Sequence, residues 1–155
     1  MSMRRLLYLV FLLTFVVTVA SSAETQAVNL YVQFIRGTND EKPKERSWKP
    51  IGPKLSKRLS PVFQWKNYWE MSLQEITVER RKVNKISLNK VRDLEIRLVN
   101  EKEIEFRLYR KGQLTRTSRQ QINSKEMEII GGTQDDETSW FVVVRHDKPL
   151  ARNQE

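Results

Sequence analysis

The sequence predicts an all-β domain, mainly antiparallel: a β-sandwich or open barrel of about seven to eight strands, with one short helix near residues 53–59. Three observations carry that expectation. Apolar and polar residues alternate with a period of two over much of the chain beyond residue 27. Two of these runs are complementary, residue by residue, across a short turn. Only one stretch spaces its apolar residues as a helix does.

In chain order, Val28, Leu30, Val32 and Phe34 alternate with Asn29, Tyr31 and Gln33, a half-buried strand that Gly37-Thr38-Asn39-Asp40 is expected to stop. Residues 38–50 are charged and contain Pro43 and Pro50, so they read as an exposed loop from which Trp48 packs back. Pro53 suits the first turn of a helix, Leu55 and Leu59 share one face, and Pro61 is expected to end it. Val62, Phe63 and Trp65 then enter the core side. Trp69, Met71 and Leu73 alternate with Glu70, Ser72 and Gln74, and Ile76 and Val78 continue in shifted phase, which predicts a bulge near Gln74-Glu75. Ile86 and Leu88 mark a short strand.

The clearest element is a hairpin. With Val99 opposite Glu103, Leu98 meets Ile104, Ile96 meets Phe106 and Leu94 meets Leu108 on one face. On the other face Arg97 meets Glu105 and Glu95 meets Arg107, opposite charges that favour this register by about 0.2–1 kcal/mol per pair. A slip of one residue would turn the apolar set into water. Lys111-Gly112 is the next turn. Residues 113–122 read as a polar edge strand whose Arg116 and Arg119 discourage edge-to-edge association. Met127, Ile129 and Ile130 lead to Gly131-Gly132, read as a turn or bulge. Thr138 to Arg145 is apolar on both faces and is expected to be central.

The chain has 155 residues and a formal charge of +9, enough for one domain. Its start has the three parts of a secretory signal peptide: Arg4 and Arg5, the uncharged run Leu6 to Ala20, and small residues Ser21-Ser22-Ala23 at a cleavage site. The run is shorter than the ~20 apolar residues a membrane anchor requires. The expected organisation is a signal peptide over 1–23, a β-rich domain over 24–146 and a flexible tail over 147–155. The expected location is periplasmic or extracellular, with no stable transmembrane segment after processing. Removing Arg4 and Arg5 and no acid takes the charge from +9 to +7. There is no cysteine, which excludes thiol nucleophiles, thiolate metal sites and disulfides.

No cofactor or metal is expected. His146 is the one histidine, and Asp135-Asp136-Glu137 lacks the alternating acids of a calcium loop. No nucleophile has a base and an orienting partner in a recognisable context, so no catalytic residue is named and an enzyme is not the expected class. The basic excess remains. Arg80, Arg81, Lys82, Lys85, Lys90 and Arg92 form one group and Arg107, Arg110, Lys111, Arg116 and Arg119 a second. The first is the candidate anion-binding site, for acidic glycan or lipid headgroups. Export argues against nucleic acid as a partner. Among the tryptophans, Trp69 and Trp140 lie in apolar strands and read as core, which leaves Trp48 as the candidate exposed aromatic.

Val62, Phe63, Trp65, Lys66 and Tyr68 form a V-F-x-W-K-x-Y motif, and a late G-G…W-F-V-V-V run spans residues 131–144. In these the chain resembles a group of small exported bacterial proteins of unknown function. The resemblance implies export and a β fold, and supplies no site residues. The expected role is an exported, non-enzymatic binding or structural accessory protein of the bacterial envelope, docked to an envelope protein partner. The alternatives are an anion-binding module using the 80–92 cluster and a small secreted hydrolase.

Overall fold

The computed structural model describes residues 27–122, 127–135 and 138–149; residues 1–23, and with them the expected signal peptide, lie outside it. The fold is a β-sandwich of two antiparallel sheets, with one helix laid on the outside of the larger sheet. The elements run β1 (Ala27–Thr38), β2 (Lys49–Pro50), α1 (Pro53–Phe63), β3 (Asn67–Glu79), β4 (Val83–Asn89), β5 (Arg92–Leu98), β6 (Glu103–Arg110), β7 (Gln113–Gln121), β8 (Glu128–Asp135) and β9 (Thr138–Arg145). The first sheet has the order β2-β3-β1-β9-β8, and the second β4-β5-β6-β7.

The β5–β6 hairpin has the register that its charges and apolar residues predict. Leu98 pairs with Ile104, Ile96 with Phe106, Leu94 with Leu108, Arg97 with Glu105 and Glu95 with Arg107. β7 is an edge strand and β9 lies between β1 and β8, as their compositions require. Leu94, Ile96, Phe106 and Leu108 meet Leu30, Val32, Phe34 and Val142 of the first sheet to form the core between the sheets.

A second apolar cluster lies on the other side of the first sheet. Ile35, Tyr68, Phe141 and Val143 of the strands face Leu55 and Leu59 of α1 there, with Phe63 and Trp65 packed alongside. The first sheet is thus buried on both faces, which explains why β9 has no polar side. Burying Leu55 and Leu59 stabilises the helix contact by roughly 1.5–3 kcal/mol each.

Several expectations are corrected. The described residues contain nine strands rather than seven or eight, because Lys49–Pro50, read as the end of a loop, pairs with Glu70 and Trp69 at the edge of β3. β1 continues through Gly37 to Thr38 instead of turning there. Gly37 is needed for space, since a Cβ there would lie 2.6 Å from Trp65 Cδ1 and 2.9 Å from Phe141 Cε2. The helix passes Pro61 and ends at Phe63, capped by Gln64 in a left-handed conformation whose N–H donates to the Ser60 carbonyl. A proline in the final turn leaves only one carbonyl, that of Lys57, without its helical N–H donor. Val62 is 68% exposed rather than buried, because the helix stripe passes through Leu55, Leu59 and Phe63. The bulge falls at Met71, not near Gln74-Glu75: Phe34 pairs with Ser72 and Ile35 with Glu70, leaving Met71 as the extra residue. Beyond it the even-numbered residues of β3 face the second sheet, and Leu73 is left exposed.

Gly131 and Gly132 do not turn the chain. They sit within β8, opposite Phe141 and Trp140 of β9. A Cβ on Gly132 would lie 2.5 Å from Trp140 Cζ2, so the indole ring lies across the space that glycine leaves open. Gly132→Ala is expected to lower stability by about 1–3 kcal/mol. The measurement is a urea titration, in which the midpoint should fall with no change in slope. An unchanged midpoint would mean that the ring does not occupy this position.

Candidate functional site

The predicted basic cluster does not converge. Arg80, Arg81 and Lys82 precede β4 and Lys90 follows it, so the two groups are more than about 20 Å apart along a seven-residue strand. Three of the cations are paired: Arg80 with Glu101 at 3.4 Å, Lys82 with Glu79 at 2.6 Å and Lys85 with Asp93 at 3.5 Å. Arg81 occupies a left-handed turn position with φ 66°. The six residues therefore do not form one positive face.

In the second group Arg107 and Arg119 are paired, both with Glu105. Glu105 is 1% exposed on the outer face of the second sheet, covered by guanidinium groups rather than by depth in the core. Arg97 Nε donates to its Oε1 at 2.7 Å, Arg119 Nε donates to Oε2 at 2.6 Å, and Arg107 Nε lies 2.8 Å from Oε1 as an ion pair. Glu95, opposite Arg107, accepts a 2.8 Å hydrogen bond from the Tyr109 hydroxyl.

Arg92 is the exception. It lies on the core side of β5 and is only 6% exposed. Its guanidinium sits over the Trp140 ring, 4.6 Å from the centroid, and no acidic side chain among the described residues pairs with it. Its cross-strand partner is Arg110, another cation. Desolvation, and then the charge of Arg110, lower its pKa below the ordinary guanidinium value. A cation–π contact of up to about 2 kcal/mol offsets only part of the cost of holding a cation out of water.

The Trp140 ring also walls a groove of about 240 Å³ at this end of the sandwich. It is lined by the strand residues Phe34, Arg36, Met71, Asn89 and Ser139, the inner rim, and by the loop residues Lys44, Glu45 and Trp48, the outer rim. The Arg36 guanidinium stands 5.8 Å from the Trp48 ring centroid. Two indoles, each carrying an arginine, thus flank one opening.

The loop that supplies the outer rim is held at both ends. Thr38 and Asp40 exchange hydrogen bonds at 3.0 and 3.1 Å, and Asn67 Nδ2 donates to the Asp40 carbonyl at 2.9 Å. At the far end the Trp48 N–H donates to the Glu45 carbonyl at 3.1 Å, and β2 ties the chain to β3 immediately afterwards. On the inner rim, Asn89 Oδ1 accepts from the backbone N–H groups of Val91 and Arg92 at 2.9 and 2.8 Å. That leaves its Nδ2 donors for a ligand.

Trp48 is half-buried at the groove mouth, so the candidate aromatic both packs over the sheet end and presents a face to the opening. Trp140 is core, as expected, yet also walls the groove; Trp69 is only half-buried, at the sheet edge beside Pro50. His146 is half-buried just past β9, and Asp136 and Glu137 lie outside the described residues. Among the described residues no group of three or more His, Asp or Glu is placed to hold a metal. No helix among them is long and apolar enough to cross a membrane.

Sequence reasoning missed Arg36 and Lys44 altogether and placed Arg92 in the wrong company. A signal was present. Extended by two steps, the β5–β6 register sets Arg92 against Arg110 on the apolar face, two cations opposed where a hydrophobic pair belongs. Like charges directly opposed on a sheet are destabilising unless something lies between them.

Comparison of the chain with family models, with curated proteins and with solved structures finds no match in any of the three.

Proposed function

We propose that this chain is an exported, non-enzymatic binding module of the bacterial envelope that takes an anionic ligand in the groove between Trp48 and Trp140. The observation that carries this reading is the pair of cations Arg36 and Lys44 lining a groove that also holds two indoles, while Arg92, outside that lining, is buried on the Trp140 ring without an acid among its described neighbours. Two cations with no paired acid among the described residues, beside apolar walls, favour an anion bound between them. Arg36 and Lys44 raise the positive potential at the mouth, and the low-dielectric walls of Phe34 and Met71 strengthen it.

The test is a thermal melt in sodium sulfate, set against sodium chloride of equal ionic strength. A bound anion stabilises by mass action, about 2.7 kcal/mol at a hundred times its dissociation constant. Sulfate should raise the melting temperature of the native protein by several degrees more than chloride does, and Arg36→Gln should abolish that difference. Arg92→Met should leave the ligand-free protein equally stable or about 1 kcal/mol more stable, since replacing an uncompensated buried cation with an apolar chain removes a desolvation cost. An equal sulfate effect in native and Arg36→Gln proteins would sink the reading.

A second reading, docking to an envelope protein, is supported by the free edge of β7, whose nine residues are paired on one side only. The exposed apolar side chains Val62, Leu73, Val83, Val99 and Leu114 lie on different elements and give no single contact patch. Retention of a protein partner at high salt, lost when a proline is placed in β7, would favour it.

A further inference from the structure

We infer that the anion taken in this groove is the carboxylate of an acidic saccharide, one sugar unit of which occupies the space between the two indoles. The inference rests on the anion-binding reading above and names the class of ligand.

The groove is smaller than the ~300–1,000 Å³ of pockets that enclose whole small molecules. It holds one ring-sized unit and is open at the mouth, which suits a residue of a longer chain. Its lining combines three kinds of group. Trp48 and Trp140 line the opening with indole surface of the kind against which the C–H face of a pyranose stacks. Arg36 and Lys44 supply positive charge for a carboxylate. Asn89, Ser139 and Glu45 supply neutral donors and an acceptor.

Glu45 decides between ligand sources. A carboxylate in the lining makes a compact dianion such as phosphate or sulfate a weaker ligand than a hydroxylated monoanion, whose hydroxyls donate hydrogen bonds to it. The rim decides against a lipid. The loop around Glu45 carries Lys42, Lys44 and Arg46, with Glu41, and the apolar lining of the groove is limited to Phe34, Met71 and the two indoles. A hydroxylated monoanion with a flat C–H face satisfies all three kinds of group together.

The experiment titrates the purified protein with a galacturonic acid oligosaccharide, following tryptophan fluorescence and heat. The comparison ligands are the neutral galactose oligosaccharide of equal length, inorganic phosphate, and vesicles containing phosphatidylglycerol. The acidic oligosaccharide is expected to bind and to change tryptophan emission. Arg36→Gln and Trp48→Ala should each weaken binding at least about tenfold. Trp48→Phe, which keeps an aromatic face, should retain most of it and shows that loss in the alanine variant is not misfolding. If phosphate binds at least as tightly as the acidic oligosaccharide, this inference fails while the anion-binding reading stands. Binding of the vesicles but not of the oligosaccharide overturns it in favour of a lipid headgroup. Equal binding of the neutral oligosaccharide overturns both, as does the absence of binding by any ligand.

Discussion

Phe141→Ala is expected to destabilise the protein by about 3–5 kcal/mol, the largest effect of any single truncation considered. Phe141 is 1% exposed at the centre of the cluster between α1 and the first sheet. Its ring centroid lies 4.4 Å from that of Phe63 and 6.0 Å from that of Tyr68, both tilted by just over 50°. Gly37 and Gly131 both make room for it, each lacking a Cβ that would stand 2.9 Å from the ring. Two strands therefore gave up side chains at these positions, and neither can fill the cavity that alanine leaves. Against a total stability of about 5–15 kcal/mol for a domain of this size, the loss is large. In urea, at about 1–3 kcal/mol per molar, the midpoint should fall by well over one molar. Val62→Ala, one residue before Phe63 but on the solvent side of α1, should change it by less than about 0.5 kcal/mol. If both variants unfold alike, α1 does not pack on this ring.

The second large effect concerns Glu105. The hydrogen bond from Arg97, and then that from Arg119, hold its pKa down at about 2, from an ordinary value of 4.5, against the opposing effect of burial. At 1.36 kcal/mol per pKa unit this corresponds to about 3 kcal/mol, reduced to about 1–2 because Arg97, Arg107 and Arg119 are partly in solvent. The pKa is depressed in the folded state. The stabilisation is therefore complete above the unfolded value near 4.5 and is lost as pH falls toward 2. Unfolding free energy measured between pH 6 and pH 2.5 should decline in that window. Glu105→Gln should be about 1–2 kcal/mol less stable at pH 7 and show a shallower decline, since the titrating group is gone and three guanidinium groups are left facing one another. A decline as steep in the variant as in the native protein would assign acid sensitivity to other carboxylates.

The two effects differ in how far the sequence announced them. The Arg97–Glu105 pair follows once the β5–β6 hairpin is set in register, because cross-strand pairing is decided by neighbours within one sheet face, whereas Arg119 joins it from β7, whose register against β6 was not predicted. The Phe141 cluster was half legible. The apolar run Thr138 to Arg145 required cover on both sides, but nothing in that run states that the cover on one side is a helix 80 residues earlier in the chain. The glycines were misread for the same reason. A Gly-Gly pair normally marks a turn, and only the rings of Phe141 and Trp140 in the next strand explain why it lies inside β8.

The groove was the least legible feature. Trp48 comes from a loop, Arg36 from β1, Trp140 from β9 and Asn89 from the end of β4. Their distances in the chain carry no periodicity, and they meet only because two sheets and a tethered loop end at the same level. The 80–92 cluster shows the converse. Those residues are close in sequence and separated in space, because an extended strand carries its two ends apart.

Most strands other than β2, the β5–β6 hairpin register, the edge position of β7 and the interior position of β9 were written in local order, since a period of two and the pairing of opposite charges act between adjacent residues and adjacent strands. The placement of α1 over the first sheet, the bulge at Met71 and the isolation of Arg92 beside Arg110 were decided by tertiary packing. Each depends on which faces come together, and burial has no direction along the chain.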